Sequence, residues 1–280
     1  TYTWPNGKQV AYRDREVLYF RLGTGSGWSS TFFGLLDRIE ITAKGRTVIV
    51  DLQGQPADVF VDDDWTGKMP GEKVGEDLYI GSNAFATLKD AVNAVAVGGT
   101  VNVAEGTYVI TEVLTVNKDI TIQGAGAGNT IIQVSDKQIQ LMADGATLQD
   151  VEIEHTVDNN LSILYLQANN LTLKNLVVHG KWERSFSTVS RGIEAAGGKT
   201  GILIEDCTFY NLRQPGYLNE RTQITIENGY VYNTRGWVLE GADVTFVNNT
   251  WGTGDEKNAV DIAILSVSPA DLYTDLLAVS

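Results

Sequence analysis

The residues best suited to chemistry cluster in and after one polar stretch, HGKWERSFSTVSRG, from His179 to Gly192. It carries Lys181, Trp182, Glu183, Arg184 and Arg191. Tyr210, Arg213, Tyr217, Arg235 and Trp237 follow at repeat-like distances. Aromatic rings beside charged and amide groups can stack on sugar rings while polar neighbours bind the hydroxyls. These residues, Arg235 apart, form a candidate carbohydrate-contact set. A loop packed over the wall with ordinary surface ion pairs is the competing reading. Glu194, Glu240 and Asp261 are further acids without an assigned role. The sequence contains no nucleophile elbow, phosphate-binding loop or metal-ligand spacing, so no catalytic residue, cofactor or metal is assigned.

A repeated phrase must position these groups. It reads ITIQGAG, ATLQDVEI, LTLKNLVV, ILIEDCTF, ITIENGYV and VTFVNNTW, anchored at Gly124, Asp150, Asn175, Asp206, Asn228 and Asn248. The intervals are 26, 25, 31, 22 and 20 residues, and the widest holds the polar stretch. One strand–turn–strand unit returning at this spacing predicts a solenoid of stacked coils. Residues four and two places before each anchor are apolar, for example Leu171 and Leu173. Those one and three places after it are apolar again, for example Leu176 and Val178. Parity changes at the anchor, so the chain must bend there. Asn and Asp tolerate the left-handed backbone of a tight bend. Asp150, Asn175, Asp206, Asn228 and Asn248 therefore read as a structural ladder, with amides able to donate to acids above and below. LYLQAN (164–169), GIEAAGG (192–198) and GWVLEGA (236–242) read as strands of the remaining wall.

NAFATLKDAVNAVAVGGTVNVAEGTY (Asn83 to Tyr108) reads as a helix and its exit. Thr87 or Ser82 can cap it, Leu88, Ala91, Val92 and Val95 give it an apolar face, and Gly98 and Gly99 end it. This phrase, with the repeats that follow, resembles the opening of the pectate-lyase-like parallel β-helix superfamily. The resemblance implies an all-β fold: a right-handed parallel β-helix solenoid with an N-terminal capping helix over residues 83–280. It also implies that the wall and its loops carry any substrate cleft. A lyase of that superfamily needs a cation-binding carboxylate cluster with an Arg or Lys base, and an esterase needs two aspartates, an arginine and a glutamine. Neither arrangement stands out in this chain.

Residues 1–60 read as a small β-rich segment, with VLYFRL, DRIEIT and TVIVDL as strands around a glycine-rich aromatic loop; it resembles the last strands of a jelly roll. Residues 61–82 read as a linker. Its triplet Asp62, Asp63 and Asp64 lacks the spacing of a calcium loop and reads as a solvated turn. The 280 residues carry a formal charge of −14, which repels nucleic acid. No apolar run reaches the roughly 20 residues of a membrane-spanning helix. The single cysteine, Cys207, excludes an intrachain disulfide and sits in an apolar column. The chain begins inside polar sequence, as a mature or trimmed protein would, and both ends look uncapped. These features favour an extracellular or cell-surface structural protein that self-associates, as a homo-oligomer or fibre, through strand addition or end-to-end stacking. A polysaccharide-active enzyme (a lyase or glycoside hydrolase), a glycan-binding β-helix and a tailspike-like trimeric adhesin are the alternatives.

Overall fold

The computed structural model describes residues 54–183 and 187–252 continuously, together with strands at 2–3, 9–10, 38–43, 46–51 and 263–265. The chain divides into two units, Thr1–Leu36 and Asp37–Ser280. In the first unit, Tyr2–Thr3 pairs antiparallel with Gln9–Val10. In the second, Arg38–Ala43 and Arg46–Asp51 form an antiparallel hairpin. The expected strand VLYFRL, the aromatic loop and the jelly-roll likeness lie outside the described residues.

From Thr100 onward each circuit of the chain adds one parallel strand to each of three sheets. Sheet I has nine strands, ending in Thr121–Gln123, Thr147–Gln149, Thr172–Lys174, Ile202–Glu205, Gln223–Glu227 and Asp243–Val247. Sheets II and III have seven each, sheet II including Glu152–His155, Val177–His179, Thr208–Tyr210 and Tyr230–Tyr232. Sheet I passes into sheet II at the anchors. There Asp150, Asn175, Asp206, Asn228 and Asn248 all adopt φ between 50° and 56°. A left-handed residue rotates the chain by one parity step, so Leu148 and Val151, three places apart, both enter the core. Gly124 heads the same column, where a Cβ would overlap the Asp150 carbonyl oxygen. The ladder is bonded at Asp150: Asn175 Nδ2 donates to Asp150 Oδ1 at 2.5 Å, and Gln123 Nε2 donates to Asp150 Oδ2 at 2.5 Å.

The apolar columns stack as one core. Ile122, Leu148, Leu173, Ile204, Ile226 and Phe246 are each at most 2% exposed. Cys207 is among them, and burial pushes its thiol up to about 12. It is a packing residue. Helix α1 (Leu88–Ala94) begins at Thr87, whose hydroxyl accepts from the Asp90 amide. Leu88, Ala91, Val92 and Val95 join the core of the first coil. One feature lies upstream of where periodicity placed the solenoid. Asp58–Val61 pairs in parallel with Thr100–Val103, and Ala84–Phe85 pairs on its far side, so sheet I starts before the helix. No described helix is long and apolar enough to cross a membrane.

Candidate functional site

Sheet III consists of Leu114–Val116, Ile139–Leu141, Ser162–Leu166, Arg191–Ala195, Gln214–Leu218, Val238–Glu240 and Ala263–Leu265. Its central strands break strict alternation. Arg191–Ala195 and Gln214–Leu218 each hold two successive buried residues, Gly192–Ile193 and Pro215–Gly216, between partly exposed ones. The slip places residues three apart on one outer face. Gly192 and Gly216 fit there because glycine carries no side chain that must choose a face. Parallel register then stacks Ser162, Arg191 and Gln214 in one row, and Gln140, Tyr165, Glu194 and Tyr217 in the next.

The two rows are tied together. Arg191 donates from Nε to Gln214 Oε1 at 2.9 Å and from Nη1 to Glu194 Oε2 at 3.0 Å. Ser162 Oγ donates to the same Glu194 oxygen at 2.5 Å. The Arg191 guanidinium lies 4.2 Å from the centroid of the Tyr217 ring, where the ring quadrupole attracts it. The Tyr217 hydroxyl donates to Glu240 Oε2. Burial, then the hydrogen bond to Glu240 and its charge, push Tyr217 up to about 12, while Arg191 acts in the opposite sense. Side chains of Arg191 and Glu194 are 27% and 26% exposed, so the cluster faces outward but is held fast. Beyond the strand ends, a groove of about 560 Å³ is lined by Tyr165, Glu194, Gly197, Asn219, Glu220 and Arg221, among others. Two carboxylates, an amide, a hydroxyl and a phenol therefore share one fixed surface. That set can bind sugar hydroxyls and move protons.

The candidate contact residues are divided by the structure. Arg191 and Tyr217 meet on this face. Trp182 and Trp237 are corrected from solvent-facing contacts to core: they are 1% and 0% exposed. Trp237 packs edge-on against Phe209 and Phe246, at 5.4 and 6.0 Å between centroids, and no sugar can reach it from solvent. Tyr210 stands on sheet II, stacked between His179 (4.7 Å) and Tyr232 (4.8 Å), away from the sheet III network. Arg213 is engaged in holding the insertion, with Nη1 donating to the Ser187 and Thr188 carbonyl oxygens at 2.9 and 3.3 Å. Lys181 and Glu183 are exposed on the loop. Arg184 and Asp261 lie outside the described residues. Glu194 and Glu240, left without roles by sequence reasoning, belong to the cluster, as do Ser162 and Gln214. The acidic triplet brings Asp62, Asp63 and Asp64 oxygens within 4.8 Å of one another. Two of these carboxylates already serve backbone amides: Asp62 accepts from Asp64, and Asp63 accepts from Thr107.

A polar network on the outer wall of a stacked three-sheet solenoid defines a parallel β-helix protein of pectate-lyase-like architecture. The chain belongs to the family described as rhamnogalacturonase A/epimerase, pectate lyase-like, whose model matches residues 81–263. Among solved structures, a pectin methylesterase from carrot is similar at 14% identity with a TM-score of 0.38, covering 78% of this chain and 90% of that one. No curated protein matches.

Proposed function

We propose that this chain binds a polysaccharide along the outer face of sheet III and hydrolyses it there. The observation that carries the proposal is the Ser162–Arg191–Glu194–Tyr217–Glu240 network, a fixed polar and aromatic surface built by three neighbouring strands and closed by a fourth. Strands in a sheet recur every ~4.8 Å, so successive rows can meet successive sugar units of an extended chain. The family's name, with its rhamnogalacturonase, is of a sugar-cleaving kind.

Hydrolysis fits this face better than elimination. A lyase needs a free Arg or Lys as base, and Arg191 is spent on Glu194, Gln214 and the Tyr217 ring. Glycoside hydrolysis needs two carboxyl groups flanking the scissile bond. Glu194, with Ser162 and Arg191 fixing one of its oxygens, is oriented to accept a proton from water. Glu240, whose carboxylate accepts from the Tyr217 hydroxyl, is the second carboxyl group that such a reaction requires. The assembling structural protein favoured from sequence gives way in preference, because such a role makes no use of a held polar cluster.

The test is incubation of the full chain with a panel of polysaccharides, followed by measurement of retention and of new reducing ends. Retention with reducing-end release is expected, and Glu240→Gln is expected to keep retention while reducing release at least ~100-fold. Absence of both retention and release across the panel rejects the proposal; retention without release rejects its hydrolytic half.

A further inference from the structure

We propose that His155, Asp158 and Asn159 form a site for one divalent cation of the zinc type, which ties the 179–192 insertion to the solenoid. The site lies where sheet II passes into sheet III. His155 ends the sheet II strand Glu152–His155, and the turn after it leads to Ser162–Leu166 of sheet III. The insertion crosses this turn. A Cβ on Gly180 would lie 3.5 Å from the Cβ of His155. Thr188 Oγ1 donates to Asp158 Oδ2, and the Val189 amide donates to Asn160 Oδ1 at 2.5 Å.

The ground is a set of unpaired acceptors. Among the described residues five buried side-chain polar atoms lack a hydrogen-bond partner, and three of them are His155 Nδ1, Asp158 Oδ1 and Asn159 Oδ1. His155 itself is 0% exposed. The far ends of these side chains fix what the near ends can do. His155 Nε2 and Asn159 Nδ2 both reach the Ser135 carbonyl oxygen, at 3.1 and 3.0 Å. A carbonyl only accepts, so Nε2 carries the ring proton and the Asn159 oxygen is turned away from Ser135. The neutral ring keeps a lone pair on Nδ1. Burial disfavours a second proton there, although the Ser135 carbonyl, Asn159 and Asp158 all act in the opposite sense. Three buried acceptors without a donor call for an occupant that the chain does not supply.

A cation serves all three. A histidine that ligates a metal usually donates its other ring N–H to a carbonyl, as His155 does to Ser135, and the ligating carboxylate is itself hydrogen-bonded, as Asp158 is by Thr188. One imidazole nitrogen with two oxygens suits a zinc-like ion better than calcium or magnesium, which take oxygen shells. Water is the competing occupant, but it offers two protons to three acceptors. The two remaining unpaired atoms, the indole nitrogens of Trp182 and Trp237, are donors and take no part.

The experiment treats the full chain with a chelator, removes the chelator, and adds Zn²⁺ or Ca²⁺ to equilibrium. Binding and thermal melting are then measured, and crystals grown with zinc are examined for its anomalous signal. The expected result is tight binding of one Zn²⁺ per chain, at least about tenfold tighter than Ca²⁺, with the melting temperature raised by about 5 °C at a hundredfold excess over Kd. The zinc signal should lie beside His155 Nδ1 and Asp158. Asp158→Asn keeps the shape and removes the charge, and should weaken zinc binding at least about tenfold. His179→Gln changes the only other histidine of the chain and should leave zinc binding unchanged. Zinc binding lost in His179→Gln, or kept in full by Asp158→Asn, places the metal elsewhere and overturns the proposal. Calcium bound as tightly as zinc overturns the assignment of ion type. An ordered water at the three acceptors with no zinc signal overturns the site itself. Should Asp158→Asn fail to fold, the position of the zinc signal in the parent protein decides.

Discussion

Arg191 and Glu194 are three residues apart in one β-strand, yet their side chains meet at 3.0 Å. In a regular strand they would point to opposite faces. The pair exists because Gly192 and Ile193 are both buried, which shifts the phase of the strand by one residue. The same shift at Pro215–Gly216 brings Gln214 and Tyr217 to the same outer face. The network is thus a product of a backbone irregularity repeated in register across neighbouring coils.

Arginine's forked geometry is what serves two acceptors and a ring at once. Arg191→Lys keeps the charge and loses the fork, so it cannot hold Gln214 and Glu194 together. It should lower the melting temperature by about 2–4 °C and weaken glycan retention, and Arg191→Met should do both more strongly. Thermal melts and affinity measurements on both variants check this. A lysine variant indistinguishable from the parent in both would show that the fork has no role.

Tyr217 should titrate late. Its phenol is pushed up to about 12 by burial and by Glu240, against an ordinary value near 10. The folded state holds the proton more tightly than the unfolded chain. The resulting stability is complete below about pH 10 and is lost as pH rises from there towards 12. Tyrosinate absorbance during alkaline titration should show one fewer late-ionising group in Tyr217→Phe, and the stability of that variant should fall less steeply across this window. An unchanged titration curve would mean that the phenol is not held.

The fold was legible because inward columns and left-handed anchors repeat with one spacing. The residues four and two places before, and one and three places after, Asp150, Asn175 and Asp206 are all buried, and each of these anchors has the expected backbone. The site was legible only in part. Arg191 and Tyr217 were identified from residue type. Glu194 was not paired with Arg191, because period-two reasoning places them on opposite faces. The strand Gln214–Leu218 escaped notice because QPGYL contains proline and glycine, which weaken a strand reading. Trp182 and Trp237 were placed outside because tryptophan beside charged residues looks like a sugar platform. Their surroundings in space, Phe209 and Phe246 for Trp237, come from other coils.

The amide–acid order of the anchor ladder should be energetically real. Asn175 donates to Asp150 at 2.5 Å, and its coil stacks directly on that of Asp206. Asn175→Asp keeps the left-handed tolerance of the bend and replaces a donor by a third carboxylate. Like charges raise the new carboxyl's pKa above its unfolded value near 3.9. The variant should therefore be nearly as stable as the parent at acid pH and should lose stability as pH rises through the carboxylate range, lowering the melting temperature by about 2–4 °C at neutral pH. Melts at several pH values decide it; a constant deficit at all pH values would point to lost shape complementarity instead of charge.

Gly216 should be required for Trp237 and not for its own backbone. Its φ is not in the left-handed region, so alanine is conformationally acceptable there. A Cβ would nevertheless overlap the six-membered ring of Trp237. Gly216→Ala alone should cost about 1–3 kcal/mol, the usual range for overpacking a closed core. Trp237→Leu alone leaves a cavity beside Phe209 and Phe246 and should cost at least as much. Combined, the two changes relieve each other, because the alanine methyl occupies part of the space the indole vacates. The double variant should be more stable than the sum of the single losses implies by about 1 kcal/mol. Denaturant melts of the four proteins measure that coupling. Strict additivity would mean that glycine serves the strand's phase slip itself and that the indole merely lies nearby.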